Sequence, residues 1–249
     1  MNILFITPYL PSENSGHAGA QLIYRNVVAL SKFNKIKIAS FLDIDENKSI
    51  SKLTSIGVGV FTVKYPRNQK SILGRIASIF RNLKPMISYL KGKEPFFIAK
   101  YDKEEMADLI AKLLSSNSFD LVQVEYNVMH HYAHLFKNIK SLIVFHDVST
   151  KMHESGMLLG KQSNKRSFQL AKKVESNIAN KFDRVVTLTQ EDKNYLLKLG
   201  CNKDIYVIPP QIKQLEKLNS NKVSNSICFI GAFNREPNLN AVEIIIDSI

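Results

Sequence analysis

Short apolar runs, each followed by a segment of helical periodicity, constrain this chain more than any other feature. NILFIT (2–7), KIKIASFL (35–42) and VGVFTVKY (58–65) read as strands, as do FDLVQVE (119–125), SLIVFHD (141–147), RVVTLT (184–189) and DIYVIPP (204–210). A strand that is apolar along its whole length is buried on both faces, which is the condition of a central strand in a parallel sheet. Helical patterns are predicted at 18–33, 70–90, 94–116, 127–137 and 165–181. Thr189 with Asp192 resembles a capping box for a further helix that closes at Gly200. Strand–helix alternation of this kind gives right-handed crossovers and an α/β fold: a Rossmann-like parallel sheet flanked by helices.

The polar run QIKQLEKLNSNKVSN (211–225) reads as a linker after a first domain spanning 1–210. Beyond it, SICFIGAF (226–233) is predicted to be a buried strand, and EPNLNAVEIIIDSI to begin a helix with Pro237 in its first turn. One strand and one helix cannot bury their apolar faces alone, so 226–249 is expected to be the truncated start of a second α/β domain. The chain has 249 residues, 45% of them hydrophobic, enough for a substantial core. No run reaches the ~18 apolar residues of a membrane span, and the N-terminus lacks the pattern of a signal peptide. Cys201 and Cys228 give neither a disulfide framework nor metal-ligand spacing. The expected compartment is a reducing cytoplasm.

In such folds, ligands bind in the crevice at the carboxyl ends of the strands. The first strand runs into PYLPSENSGHAGAQL, whose Gly16 and Gly19 can let backbone approach a phosphate or sugar beside helix N-terminal amides; a plain long connection is the alternative. The dinucleotide fingerprint G-x-G-x-x-G is absent, although Asp43 ends the second strand where a ribose-binding acid would lie. His146 and Asp147 end another strand. The histidine can hydrogen-bond a hydroxyl or act as a base, Asp147 can cap the next helix, and a structural His–Asp pair remains open. Glu125 and Tyr126 end the neighbouring strand, where a carboxylate can accept from hydroxyls and an aromatic can stack on a sugar; a cap or salt bridge is the other reading of Glu125. His130 and His134 have the i,i+4 spacing of helical zinc ligands but no H-E-x-x-H context, so no metal is expected.

The net charge of +12 is concentrated. Residues 64–100 hold nine basic residues against the single acid Glu94 and so carry eight of the twelve net charges. Ile72, Leu73, Ile76, Ile79, Phe80 and Leu83 form one helical stripe, with Lys70, Arg75, Arg81 and Lys84 off it. Such a helix can lie on an anionic membrane at ~1 kcal/mol per cation, or pack as an ordinary core helix with a solvated basic face. Few aromatics interleave the charges and no nucleic-acid motif accompanies them, so nucleic acid is not an expected partner.

Taken in order, these pieces resemble the N-terminal half of a GT-B glycosyltransferase of the retaining group 1 class, similar to family 4. ILFITPYLP…SGHAGAQLIYRNVVAL is similar to that class's first strand, glycine loop and helix, FDLVQVEYNVMHHYA to its D-x-V-x-x-E strand, and LIVFHDVS to its His-bearing strand end. FDRVVTLTQEDKNYLLKLG, IYVIPPQI and ICFIGAFNREPNLNAVEIII resemble its later elements, the last opening the nucleotide-sugar-binding domain. The resemblance implies transfer of a hexosyl-type sugar from a nucleotide donor to an acceptor hydroxyl with retention, in polysaccharide or glycolipid synthesis. It implies no cofactor and no catalytic metal. His146 would contact the donor sugar near the reacting carbon, Gly16 and Gly19 would lie beside donor phosphate and acceptor, and Glu125, Tyr126 and Asp147 would line the cleft. With the basic stripe, it implies a lipid-linked or polysaccharide acceptor and a peripheral position on the inner face of the membrane.

Departures from the class are visible. Ala18 and Ala20 flank Gly19 where adjacent glycines are usual, and Pro209-Pro210-Gln211 replaces P-N-G. The donor-holding basic residues and E-x7-E element do not occur, so the chain alone is expected to be inactive. A nicotinamide oxidoreductase and a non-catalytic membrane- or partner-binding module are the alternatives.

Overall fold

A computed structural model describes residues 1–67, 78–158, 165–211, 224–231, 233 and 236–248. It contains two compact units, Met1–Pro210 and Gln211–Ile249.

The first unit is built on a seven-stranded sheet: β1 (Asn2–Thr7), β2 (Lys35–Leu42), β3 (Gly59–Lys64), β4 (Leu121–Glu125), β5 (Ser141–Phe145), β6 (Arg184–Thr187) and β7 (Ile205–Val207). The strands lie in the order β3-β2-β1-β4-β5-β6-β7, and every adjacent pair is parallel. β1 pairs with β2 in the register Ile6↔Ala39 and with β4 in the register Ile6↔Val124, so the winding reverses at β1. The reversal opens a crevice at the carboxyl ends of β1 and β4.

Both faces of β1 are buried, as its unbroken apolar run requires. Leu4 and Ile6 join a core with Met106, Ile110 and Phe145, whereas Ile3 and Phe5 join a second core with Ile23, Val27 and Leu53. Among the described residues, the helices of this unit include α1 (Ala18–Ser31), α2 (Lys48–Ser55), α3 (Leu83–Leu90), α4 (Phe96–Ala99), α5 (Glu104–Ser116), α6 (Ser149–Leu158), α7 (Lys165–Ala179) and α8 (Gln190–Lys198). α1 docks through Ala20, Ile23 and Val27; burial of a side chain the size of Ile or Val contributes about 1.5–3 kcal/mol. Thr189 caps α8 by accepting from the Asp192 amide at 3.0 Å, and Gly200 follows it at φ +94°, as the sequence predicts.

Three expectations are corrected. The helix expected over 94–116 is broken into α4 and α5, because Tyr132 engages the backbone of Tyr101 and Lys103 between them. α2 and α6 form where the sequence reading placed no helix; α2 is short and turns only Leu53 fully inward. In the second unit the strand expected at 226–233 is not formed among the described residues: 226–230 has no ladder and Ile230 is 93% exposed. A strand without a neighbour leaves its amides unpaired. The helix expected there is present as α9 (Glu236–Ser248). Most of the expected linker, and the stripe residues Ile72, Leu73 and Ile76, lie outside the described residues.

Glu175 locks the strand-end loops in place. It faces inward from α7 and is fully buried. Its carboxylate accepts from Asn127 Nδ2 (2.8 Å), the Ser149 amide (2.7 Å), the Thr150 amide (2.8 Å) and Thr150 Oγ1 (2.5 Å). An anion is thereby set on the otherwise open first amides of α6, the favourable end of the helix dipole. Burial pushes this carboxyl above its ordinary value, against the pull of hydrogen bonds from Thr150 and Ser149. Glu175→Ala orphans two buried amides and is expected to cost about 3 kcal/mol, read as a lower urea midpoint. Glu175→Gln, which keeps one acceptor oxygen, is expected to recover part of that loss. Equal midpoints for Glu175→Ala and the parent chain would exclude the anchoring role.

Candidate functional site

The ends of β1, β4 and β5 and the first turn of α1 meet at the crevice. The Glu125 carboxylate, at the end of β4, accepts from His146 Nε2 at 2.8 Å and from Gln123 Nε2 at 2.6 Å. A carboxylate only accepts, so this bond requires the proton on Nε2 and turns Nδ1 toward α1. The side chains of His146 and Glu125 are 4% and 1% exposed. Both oxygens of Glu125 are thus committed within the protein, and the residue orients His146 instead of presenting a free carboxylate to a ligand.

Tyr126 stacks on the His146 ring at 3.8 Å between centroids and 7° between planes. Its backbone stands at φ +69°, ψ 141°, a conformation that costs a non-glycine residue about 1–3 kcal/mol and recurs at functional sites. Burial, together with nearby Tyr9, Asp147 and Glu125, pushes its phenol above the ordinary value, so the hydroxyl keeps its proton. Tyr9 packs edge-on against Tyr126 at 5.7 Å, and His17 stacks on Tyr9 at 4.3 Å.

Gly19 lies in the first turn of α1, where the absence of a side chain is required. A Cβ there would fall inside the Tyr126 hydroxyl and 3.1 Å from His146 Nδ1. Gly16, by contrast, has open space around it. It lines a cavity of ≈ 460 Å³ together with Ser12, His17, Asp43, Glu46 and Arg67. The β1–α1 loop is held by several bonds: Ser12 donates its amide to the Ala20 carbonyl (3.3 Å), Gln21 Nε2 donates to the Ser15 carbonyl (2.7 Å), and Arg67 donates to the Pro8 carbonyl (2.7 Å). α1 has no side-chain cap, so its first amides have no side-chain acceptor from the N-cap residue His17.

The structure therefore joins Gly19, Glu125, Tyr126 and His146 in one cluster and puts Gly16 in the adjoining cavity. Asp147 is exposed, within electrostatic range of Tyr126. Tyr9, His17 and Arg67 complete the site and were not singled out from sequence. Arg67 carries a signal in retrospect, as a basic residue three positions past the β3 edge strand. It pairs with Glu46 at 2.7 Å, faces Asp43 at 3.8 Å and lies 4.6 Å over the Tyr9 ring. Asp43, the ribose candidate of the oxidoreductase alternative, instead forms a capping box with Glu46 and receives the Arg67 amide at 3.2 Å.

Of the four cations expected on a membrane or acceptor surface, Lys70 and Arg75 lie outside the described residues. Arg81 donates to the Pro66 carbonyl at 3.0 Å and lies over Tyr65, so it is tucked inward. Lys84 is exposed and pairs with Asp102 at 3.2 Å. Among the described residues, the stripe members Ile79, Phe80 and Leu83 are 45–69% exposed, as are Met86, Ile87 and Leu90 further along the segment. No helix among the described residues is long and apolar enough to cross a membrane.

The parallel sheet flanked by helices is the fold of the N-terminal domain of GT-B glycosyltransferases. The sequence profile described as Glycosyltransferase Family 4 matches residues 59–213, more than half of the chain and the span that carries Glu125, Tyr126 and His146. The chain belongs to that family. Among solved structures it is similar in fold to a sucrose-phosphate synthase of Thermosynechococcus elongatus, at TM-score 0.52 and 9% identity over 84% of this chain and 48% of that one. The Candida albicans trehalose-6-phosphate phosphatase N-terminal domain gives TM-score 0.47 and 12% identity, over 84% of this chain and 48% of that one. A UDP-glucosyltransferase from Polygonum tinctorium gives 0.46 and 11%, over 90% and 55%. The chain thus spans about half the length of the solved chains it matches. No curated protein matches its sequence.

Because Gly19 and Tyr126 compete for one space, their substitutions are expected to couple. Gly19→Ala should destabilise the chain by about 1–3 kcal/mol through overpacking. In a Tyr126→Ala background the same change should become neutral or stabilising by up to about 1 kcal/mol, the helix preference of alanine. Additive effects in a urea double-mutant cycle would rule out the contact.

Proposed function

We propose that this chain is the acceptor-side half of a retaining glycosyltransferase acting on a nucleotide-diphosphate sugar. The reading is carried by the Glu125–His146 pair at the winding reversal, with Nδ1 of His146 turned toward the uncapped start of α1. In the proposed reaction, the bond from the anomeric carbon to the diphosphate oxygen breaks. The acceptor hydroxyl oxygen bonds to that carbon on the same face, and its proton passes to the departing phosphate. Glu125 fixes the ring of His146, whose Nδ1 hydrogen-bonds a sugar hydroxyl near the reacting carbon. The α1 amides face developing negative charge, a contribution that grows in a water-poor site. The cavity beside Gly16, lined by hydroxyls, the carboxylates of Asp43 and Glu46 and the cations Lys48, Lys52 and Arg67, suits a polyhydroxylated acceptor. No catalytic metal and no cofactor is proposed.

The acceptor is lipid-linked or polysaccharide in this reading, with the protein peripheral on an anionic, cytoplasmic membrane face. The exposed apolar side chains from Ile79 to Leu90 support it, since side chains of this size each gain about 1.5–3 kcal/mol on leaving water.

Calorimetric titration of UDP-, GDP-, dTDP- and ADP-sugars and of NAD(H) tests the proposal, on this chain and on the protein with a complete second domain. Heat from one class of nucleotide sugar in the two-domain protein, and none from NAD(H), is expected. NAD(H) binding by the chain would overturn the reading in favour of the oxidoreductase. In the two-domain protein His146→Ala should lower kcat by about 10²-fold with KM for the acceptor little changed. An unchanged kcat would remove His146 from the reaction.

Phe80→Glu combined with Ile87→Glu should cut co-sedimentation with phosphatidylglycerol vesicles at least about tenfold, with the fold retained. Undiminished sedimentation would refute the membrane face.

A further inference from the structure

The histidines of the segment after Tyr126 do not act through their i,i+4 spacing. Residues 127–136 form a 3-10 run, and His134, exposed at its end, bonds the His131 carbonyl through Nδ1 at 2.8 Å. Instead the adjacent His130 and His131 converge on Glu94 from the turn between α3 and α4, with their ligand atoms all within 4.8 Å of one another. Glu94 Oε2 lies 3.0 Å from His131 Nε2 and 3.5 Å from His130 Nε2. For bonds of about 2.0–2.1 Å from a tetrahedral zinc-class ion to N and O ligands, ligand atoms stand roughly 3.3 Å apart.

The donor chemistry favours a cation at this point. His131 Nδ1 lies 3.2 Å from the Val128 carbonyl, which only accepts, so Nδ1 carries the proton. In the neutral ring, Nε2 then turns a lone pair toward a carboxylate oxygen. His130 is 7% exposed, its Nε2 has no hydrogen-bond partner, and its Nδ1 meets Lys181 Nζ at 2.8 Å. His131 is thus oriented by its far nitrogen, as in metal sites, where outer partners fix the ligating rings; the Lys181 ammonium, a donor only, leaves the His130 proton on Nε2, from which an incoming cation displaces it. A cavity of ≈ 320 Å³, lined by both histidines, His134, Lys137 and Lys181, gives an entry path and room for a fourth, water ligand.

We propose that Glu94, His130 and His131 bind a borderline-soft divalent cation of the zinc class, in a site separate from the strand-end cluster. Two imidazoles and one carboxylate match that ion better than magnesium or calcium, which take oxygen ligands. The ion cross-links the turn after the open apolar helix α3 to the segment that leaves Tyr126. Metal uptake releases a proton from the His130–Lys181 pair.

The test is titration of ZnSO₄ and CoCl₂ into the chelator-stripped chain, with competition against a chromophoric chelator. One equivalent of Zn²⁺ should bind with Kd below about 10 µM, and Co²⁺ should give four-coordinate d–d absorption that Zn²⁺ displaces. Zn²⁺ at about a hundred times Kd should raise Tm by roughly 5 °C. His131→Gln and Glu94→Gln, with circular dichroism unchanged, should each weaken binding at least about tenfold, and His134→Ala less than about threefold. A Kd of about 10 µM or weaker, or binding undiminished by either of the first two substitutions, overturns the site. A comparable loss on His134→Ala overturns this choice of ligands. The Co²⁺ spectrum of the unsubstituted chain decides the matter even if a variant fails to fold.

Discussion

The burial of β1 on both faces, with hydrogen-bonded neighbours on both edges, is the constraint from which the rest of the first unit follows. Every residue from Ile3 to Thr7 is buried, so the strand can be satisfied only by ladders to β2 and β4 and by helices above and below. The crossovers leave β1 in opposite directions, and the reversal separates the loop after β1 from the loop after β4. That separation is a geometric consequence of right-handed crossovers on a twisted sheet. The crevice exists before any side chain fills it.

What fills it is costly to bury and is held by many small corrections. A carboxylate and an imidazole at this depth would be unfavourable separately; their mutual hydrogen bond and the Gln123 donor offset the desolvation. Tyr126 adds backbone strain, which persists because its ring is fixed between His146 and Tyr9. On the far side of the same loops, Glu175 ties Asn127, next to Tyr126, to Ser149 and Thr150, a few residues past His146. One buried anion thereby sets the relative placement of the β4 and β5 strand ends. The rigidity of the site comes from packing and hydrogen bonds outside it, which is what preorganised chemistry requires.

Much of the scaffold was legible in the sequence because parallel strands buried on both faces leave continuous apolar runs: NILFIT and KIKIASFL are β1 and β2 residue for residue. Gly19, Glu125, Tyr126 and His146 were legible as strand-end and loop residues. Their partnership was not, since Glu125 and His146 are far apart in sequence and meet only because β4 pairs with β5. Tyr9 and Arg67 were hidden for the same reason, their contact being made across the sheet edge. Glu175 did leave a trace: it falls on the buried stripe of α7 with Leu170, Ala171 and Ile178, where an acid needs partners. The strand expected at 226–233 misled because apolarity signals burial only where a ladder is available.

The role of the glycine differs from the one that a dinucleotide fingerprint would assign. There, a missing side chain lets the pyrophosphate approach the backbone. Here the space over Gly19 is taken by the Tyr126 hydroxyl, and Nδ1 of His146 lies at the same place. A ligand that reaches the α1 amides must therefore meet the tyrosine hydroxyl and the imidazole first. Both are hydrogen-bonding groups in this arrangement, with the Tyr126 phenol pushed above its ordinary value by burial and His146 Nε2 bonded to Glu125. Neutral donors and acceptors discriminate among hydroxyl positions, whereas a phosphate is met best by amides and cations. The groups nearest the first turn of α1 are thus a hydroxyl and an imidazole, which select by hydrogen-bond direction.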